Sequence, residues 1–221
     1  MHSLARPALP LFCALAALLA IWSDPASAQD GGATAATSFC TVDPFDGASL
    51  DAGWTVSGVG DADDGSATLV GGKLRIASDG SSLYHGADHG TFVHRTVPGN
   101  LQAEVDFSAL AADGGGTYRK ACLTARSSLD PLAARVMVCV VPGHPTGPAV
   151  YFDVRTTDGG QAEELGSIRD DLPVPQRLAL VRRGAAVTVS FLDDTGEWVV
   201  PAGALGGTVD VALGPSPEVG I

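Results

Sequence analysis

Short segments of alternating apolar and polar residues, separated by glycine and proline clusters, run through most of the chain. In residues 101–107, one side of an extended strand would carry only apolar side chains, and the other glutamine, glutamate and aspartate. No stretch keeps the apolar period of a helix for long. The 28 glycines and 14 prolines lie mostly between such segments, as in chains of short strands joined by turns. The pattern predicts an all-β fold of antiparallel strands.

Strands are expected over most of the chain, and two of the tight turns depend on glycine. Gly184 and Gly196 stand where a hairpin needs a positive φ angle. The predicted strands lie at about 42–46, 53–58, 66–70, 73–78, 91–97, 100–109, 117–126, 134–141, 149–157, 162–168, 176–182, 186–192, 197–200 and 207–213.

The N-terminal segment has the pattern of an export signal. Residues 9–22 are mostly apolar, and Ala26-Ser27-Ala28 gives the small-x-small pattern that signal peptidase reads. A retained membrane anchor is the alternative, but the apolar run is shorter than the roughly 20 residues that span a bilayer. We therefore expect a cleaved signal over 1–28, a flexible leader over 29–39, one domain over 40–221, and a secreted or periplasmic protein without membrane attachment.

The charge of the chain limits its partners. The formal net charge is −12 and the pI is near 4.5. The negative charge of the chain therefore repels nucleic acid and anionic membrane surfaces at long range. Neither is expected as a partner.

Three cysteines, Cys40, Cys122 and Cys139, follow the predicted signal. An exported protein meets oxidising conditions, in which a disulfide is more common than a metal site. Folding a hairpin at Asp130-Pro131 sets Cys122 opposite Cys139, within disulfide reach. We predict this bridge; the alternatives are free thiols or a bridge from one of the two to Cys40.

Several longer motifs carry a family resemblance. The chain resembles the concanavalin A-like lectin/glucanase superfamily and, more narrowly, the DUF1349-like (β-xylosidase C-terminal-like) domain found behind some bacterial glycosidases. The resemblance covers about residues 40–221. It implies an antiparallel two-sheet jelly-roll sandwich whose concave sheet binds sugar in some relatives, and a further strand beyond Ile221 that this domain would lack. The motifs are "NLQAEVDFSAL", "KACLTARSSLDPLAARVMVCVVPG", "VYFDVRTTDGG" and "LALVRRGAAVTVSFLDDTGEWV".

The same resemblance raises the question of catalysis. Glucanases of this fold carry a nucleophilic Glu, an Asp two residues later and a second Glu as acid/base; Glu104 and Asp106 match the first two. Ser108 and Ala109 occupy the positions where the proton donor would stand, so hydrolysis loses its first step. A hydrolase using Glu104 with an acid from another strand, such as Asp153, remains the alternative.

Six side chains on the predicted polar sheet faces form the candidate binding surface. Planar polar groups make paired hydrogen bonds to sugars, and aromatic rings pack on their C–H surfaces. The alternative is a face whose mixed charges only keep the sheet soluble. The candidate ligand-binding residues are Glu104, Asp106, Tyr118, Arg126, Tyr151 and Arg155.

Signals for metals and other chemistry are weak. The acidic run with Asp61, Asp63 and Asp64 offers oxygen ligands for calcium but lacks the EF-hand spacing, so an acidic turn is the stronger interpretation. His85 and His89 lie in a glycine-containing loop, and we predict no metal site there. No nucleophile-elbow, phosphate-loop or dinucleotide motif occurs. The sequence therefore predicts an exported, non-catalytic module that recognises a polysaccharide or cell-surface glycan; a purely structural or adhesive domain is a further alternative.

Overall fold

This computed structural model describes residues 19–24, 39–60, 65–78, 83, 86–110, 118–168, 176–200 and 207–221. These residues form sixteen strands, and none of them lies in a helix, so the predicted all-β class is confirmed. The strands are β1 Leu19–Asp24, β2 Phe39–Asp43, β3 Thr55–Val59, β4 Ser66–Leu69, β5 Leu74–Ala77, β6 Gly90–Thr96, β7 Asn100–Phe107, β8 Ala121–Arg126, β9 Arg135–Val141, β10 Ala149–Arg155, β11 Glu163–Ile168, β12 Gln176–Arg183, β13 Ala186–Leu192, β14 Trp198–Val199, β15 Thr208–Asp210 and β16 Glu218–Gly220.

Two seven-stranded antiparallel sheets pack face to face. Sheet A has the order β14-β13-β12-β7-β1-β2, with β15 also paired to β13, and sheet B has the order β11-β10-β9-β8-β16-β6-β3. β4 and β5 form a separate two-stranded sheet. Apolar side chains from both large sheets share one buried core between the layers; examples are Val105, Leu123, Val138, Phe152 and Leu180. The arrangement is that of a β-sandwich.

Side chains of β7 alternate as the sequence predicts. Leu101, Ala103, Val105 and Phe107 are buried, and the residues between them are partly exposed. The glycine predictions hold as well: φ is 64° at Gly184 and 83° at Gly196. Sheet A therefore has one apolar face toward the core and one polar face toward solvent.

The hairpin of β8 and β9 has the predicted register. Cys122 lies directly opposite Cys139, and their sulfur atoms are bonded. Arg126 lies opposite Arg135, as folding at Asp130-Pro131 requires. The disulfide prediction is confirmed.

Exposure of the second face of sheet B differs from the prediction. β9 and β10 are buried at every residue, although alternation predicts every second side chain in solvent. The reason is that a segment outside these strands lies over the face, which the alternation of side chains does not reveal. Leu83 packs against a cluster around the disulfide, and Asp88 binds the arginines of this face. The sequence prediction identified the face correctly but assigned it the wrong environment.

Two strands were not predicted. β1 lies between β2 and β7 and falls inside the predicted signal, which itself stays a prediction. β16 lies between β6 and β8 and is only three residues long, too short for an alternation to mark it. The leader prediction for 29–39 falls outside the described residues except at Phe39, which belongs to β2.

Candidate functional site

The six predicted binding residues do not share one surface. Glu104 and Asp106 lie on the outer face of sheet A, while Arg126, Tyr151 and Arg155 lie on the outer face of sheet B. Tyr118 precedes β8 and is 62% exposed, with its ring edge-on to that of His144 at 5.5 Å. We call the outer face of sheet A the open face and the outer face of β8, β9 and β10 in sheet B the covered face. The predicted single site is therefore divided between the two sides of the sandwich.

On the covered face, three arginines stand side by side across three strands. Arg126, Arg135 and Arg155 are directly opposed in register on β8, β9 and β10, and all three are buried. Like charges so placed repel one another. A compensating anion is required.

Asp88 supplies that anion. Its carboxylate accepts two hydrogen bonds from Arg135 Nε at 2.9 and 2.8 Å, and lies 3.3 Å from Arg155 Nη1 and 3.4 Å from Arg126 Nη2. The carboxylate itself is fully buried. One acidic side chain from the segment before β6 thus joins three strands of sheet B.

The remaining donors of Arg126 and Arg155 bind backbone carbonyls. Arg126 donates to Ser128 O at 2.6 Å and to Asp130 O at 2.7 Å. Arg155 donates to the carbonyls of residues 86, 131, 133 and 160. Burial lowers the pKa of Arg126 to about 10, and Asp88 opposes that shift. Both side chains hold loops in place and are buried, so they are not the exposed hydrogen-bonding groups that the predicted binding surface needs.

A second titratable pair lies further along the same face. Asp153 is hydrogen-bonded by Arg135, and its pKa is raised because burial outweighs the attraction of that arginine. Burial likewise lowers the pKa of Lys120, against the attraction of Asp153. Lys120 Nζ donates to Leu83 O at 3.2 Å and lies 4.7 Å from the centre of the Tyr151 ring. Tyr151 is therefore covered by Lys120, and its ring is not a platform for a sugar.

The open face carries planar hydrogen-bonding side chains on β7 and β12. Gln102 Nε2 donates to Glu104 Oε1 at 2.8 Å, and Arg177 forms two parallel hydrogen bonds to Asp106 at 2.6 and 2.7 Å. The Asp106 carboxylate raises the pKa of Arg177 through those bonds. These four side chains are half-buried or exposed and present planar hydrogen-bonding groups.

The centre and one edge of the open face complete the surface. Ala179 lies between Glu104 on β7 and Ser190 on β13. Because its side chain is small, the surface has a shallow depression there among polar side chains. Trp198 stands at the edge, opposite Leu192, and is 42% exposed. Further open-face residues are Val181, Thr188 and Thr208.

The proposed hydrolase pair is separated by the fold. Glu104 lies on the open face and Asp153 on the covered face. Two packed sheets are about 10 Å apart, and glycoside hydrolysis needs carboxyl groups within about 5–9.5 Å on one side of a cleft. These two carboxyls therefore cannot act on one glycosidic bond.

The acidic run considered for calcium, with Asp61, Asp63 and Asp64, falls outside the described residues, and so does His85. Within the described ranges, no group of three or more His, Cys, Asp or Glu side chains is placed to hold a metal ion. Nor do those ranges contain a helix with the length and apolar character needed to cross a membrane.

Sequence reasoning missed Asp88 and Arg177. Arg177 could have been found, because β12 beside β7 places it opposite Asp106. Asp88 carried no such signal, since its partners lie 38 to 67 positions away and no alternation links them. Comparisons with protein-family models, curated proteins and solved structures found no match. The surface must be interpreted from its own chemistry.

Proposed function

We propose that this chain is an exported module of jelly-roll type whose open face binds a polysaccharide or cell-surface glycan without catalysing a reaction on it. A secreted or periplasmic location, after removal of residues 1–28, belongs to the same proposal. That removal would take away β1, whereas Glu104, Arg177 and Trp198 lie on strands that stay. The observation that carries it is the contrast between the two outer faces: one is sealed by Asp88 and its arginines, and the other presents planar polar groups beside an exposed tryptophan.

The open face suits a neutral or amino-bearing glycan better than an acidic one. Arg177 is already paired with Asp106, and Glu104 adds a further carboxylate, so a sulfated or carboxylated chain would meet net negative charge. Amide groups donate hydrogen bonds to sugar hydroxyls and accept them, carboxylates accept them, and the Trp198 ring offers an apolar surface for a pyranose C–H face.

The test is affinity electrophoresis of the mature chain through gels that contain neutral, amino-bearing or acidic polysaccharides. We expect at least one neutral or amino-bearing glycan to retard the chain. Trp198→Ala should bind that glycan about tenfold more weakly, since one aromatic contact contributes ~1.4 kcal/mol. The double variant Glu104→Ala, Trp198→Ala should not bind it. Leu129→Ala is the matched control, because Leu129 is also an exposed apolar residue but lies in the β8–β9 turn. Equal retardation of all variants, or retardation by no glycan, would remove the proposal.

A further inference from the structure

Three side chains from distant parts of the sequence form a hydrogen-bonded line on the outer face of sheet B. Ser57 Oγ lies 3.0 Å from His94 Nε2, and His94 Nδ1 lies 2.7 Å from Glu218 Oε2. The residues come from β3, β6 and β16, which are adjacent in the sheet. The order hydroxyl, imidazole, carboxylate is that of an activated serine nucleophile with its base and its orienting acid.

One arrangement of protons along this line suits general-base activation. Thr96 Oγ1 donates to Glu218 Oε1 at 2.9 Å, which leaves Glu218 Oε2 to accept from His94 Nδ1. In the tautomer with its proton on Nδ1, His94 keeps Nε2 as an acceptor, and Ser57 donates its hydroxyl proton to it. General-base activation requires that arrangement.

Packing fixes the imidazole in this line. The rings of His94 and Phe92 stack at 4.8 Å with 7° between their planes. Gly220 lies directly opposite His94, and a Cβ there would come within 2.0 Å of Val93 O. β16 can therefore approach β6 closely enough for Glu218 to reach His94 only because residue 220 is glycine. The His94 side chain is 7% exposed and that of Glu218 20%.

Backbone donors stand beside the serine at the sheet edge. Val93 N–H donates to Ile221 O at 2.8 Å, and Ile221 N–H donates to Val93 O at 3.0 Å, so the backbone of Val93 is directed away from β3. The residues on either side of Val93 therefore direct their backbone groups to β3, where Ser57 is one of their partners. Val56 and Gly58, the neighbours of Ser57, direct their N–H groups away from β6. In the described part of the chain, β3 pairs with β6 alone. A substrate carbonyl at this edge would meet backbone N–H groups, the type of donor that stabilises an oxyanion.

We propose that Ser57, His94 and Glu218 form an acyl-transfer site that accepts short carboxylic esters. Ser57 Oγ bonds to the ester carbonyl carbon while its proton passes to His94 Nε2. The alcohol then leaves with that proton, and water hydrolyses the acyl-serine by the same path, so ester and water give acid and alcohol. Glu218 is the positioning residue. The acyl group is short because the exposed neighbours are small and polar, Thr55 and Thr96.

The proposal is independent of glycan binding, since the three residues lie on the side of the sandwich away from the open face. No local motif could show it, because the three residues are separated by 37 and 124 positions.

The test uses the full exported chain with p-nitrophenyl acetate and with a fluorophosphonate, which phosphonylates activated serines with loss of fluoride. We expect p-nitrophenol release and a mass increase on the peptide that contains Ser57. Ser57→Ala should abolish both, while Ser66→Ala, which changes an exposed serine on β4, should leave both unchanged.

Glu218→Gln tests the positioning role separately from folding. We expect its labelling rate to fall on the order of 10³-fold or more, as when the orienting acid of a triad is neutralised, while its thermal unfolding stays cooperative. Labelling of the wild type no faster than that of Ser57→Ala, or an unchanged rate in a folded Glu218→Gln, overturns the proposal.

Discussion

The buried carboxylate of Asp88 offers the sharpest perturbation of the fold. Asp88→Asn keeps the side-chain volume but removes the charge that faces three directly opposed arginines. Arg135 keeps Asp153 as a second partner, whereas Arg126 and Arg155 keep only carbonyl groups. Breaking a buried ion pair by removal of one partner costs about 3–5 kcal/mol, and this variant leaves more than one cation uncompensated.

We therefore expect Asp88→Asn to lower the free energy of unfolding by ~4 kcal/mol. In a chain of this size, 1 kcal/mol shifts Tm by about 2–4 °C, so the melting temperature should fall by roughly 10 °C. Urea denaturation of the oxidised protein, followed by intrinsic tryptophan fluorescence, measures the loss. Asp210→Asn is the control, since Asp210 is exposed on β15. A loss below about 1 kcal/mol, equal to that of the control, would refute the view that Asp88 holds the covered face together.

Three further predictions concern other parts of the molecule. Because burial raises the pKa of Asp153, the native state binds its proton more tightly than the unfolded chain does. This residue's contribution to stability is therefore fully present below the unfolded pKa of about 4 and is lost as the pH rises. The free energy of unfolding of wild type relative to Asp153→Asn should fall as the pH is raised from about 4 in urea titrations, and a constant difference would contradict the assignment. Reduction of the Cys122–Cys139 bridge, which closes a loop of 17 residues, should lower the free energy of unfolding by about 3 kcal/mol. The loss should be the same in wild type and in Cys40→Ser. If reduction also destabilised Cys122→Ser, a different bridge would be present. Intact-mass measurement of the exported protein should give Gln29 as the first residue, whereas a chain beginning before Leu19 would keep β1 and rule out the predicted cleavage.

Much of the fold could be predicted because most strands carry their own pattern. The alternation in β7 predicts which side chains are buried, and the symmetric hairpin at Asp130-Pro131 predicts the disulfide register residue by residue. These predictions depend on residues that are adjacent in sequence or joined by one short turn.

The candidate site could be predicted only in part, because alternation separates the two faces of a strand but does not show what lies over each face. Arg126 and Arg155 point away from the core as predicted, yet Asp88 covers them from a segment outside their strands. The line of Ser57, His94 and Glu218 was missed for a related reason, since it depends on the order of β3, β6 and β16 in the sheet.

Carboxyl footprinting tests the central claim, that the open face is the glycan-binding surface, most directly. The chain is treated with a carbodiimide and an amine, with and without a polysaccharide that retards it, and modified carboxyls are located by mass spectrometry. We predict protection of Glu104, while Asp46 and Asp130, which lie outside the open face, should be modified equally in both samples. Unchanged modification of Glu104 in the presence of a bound polysaccharide would contradict it.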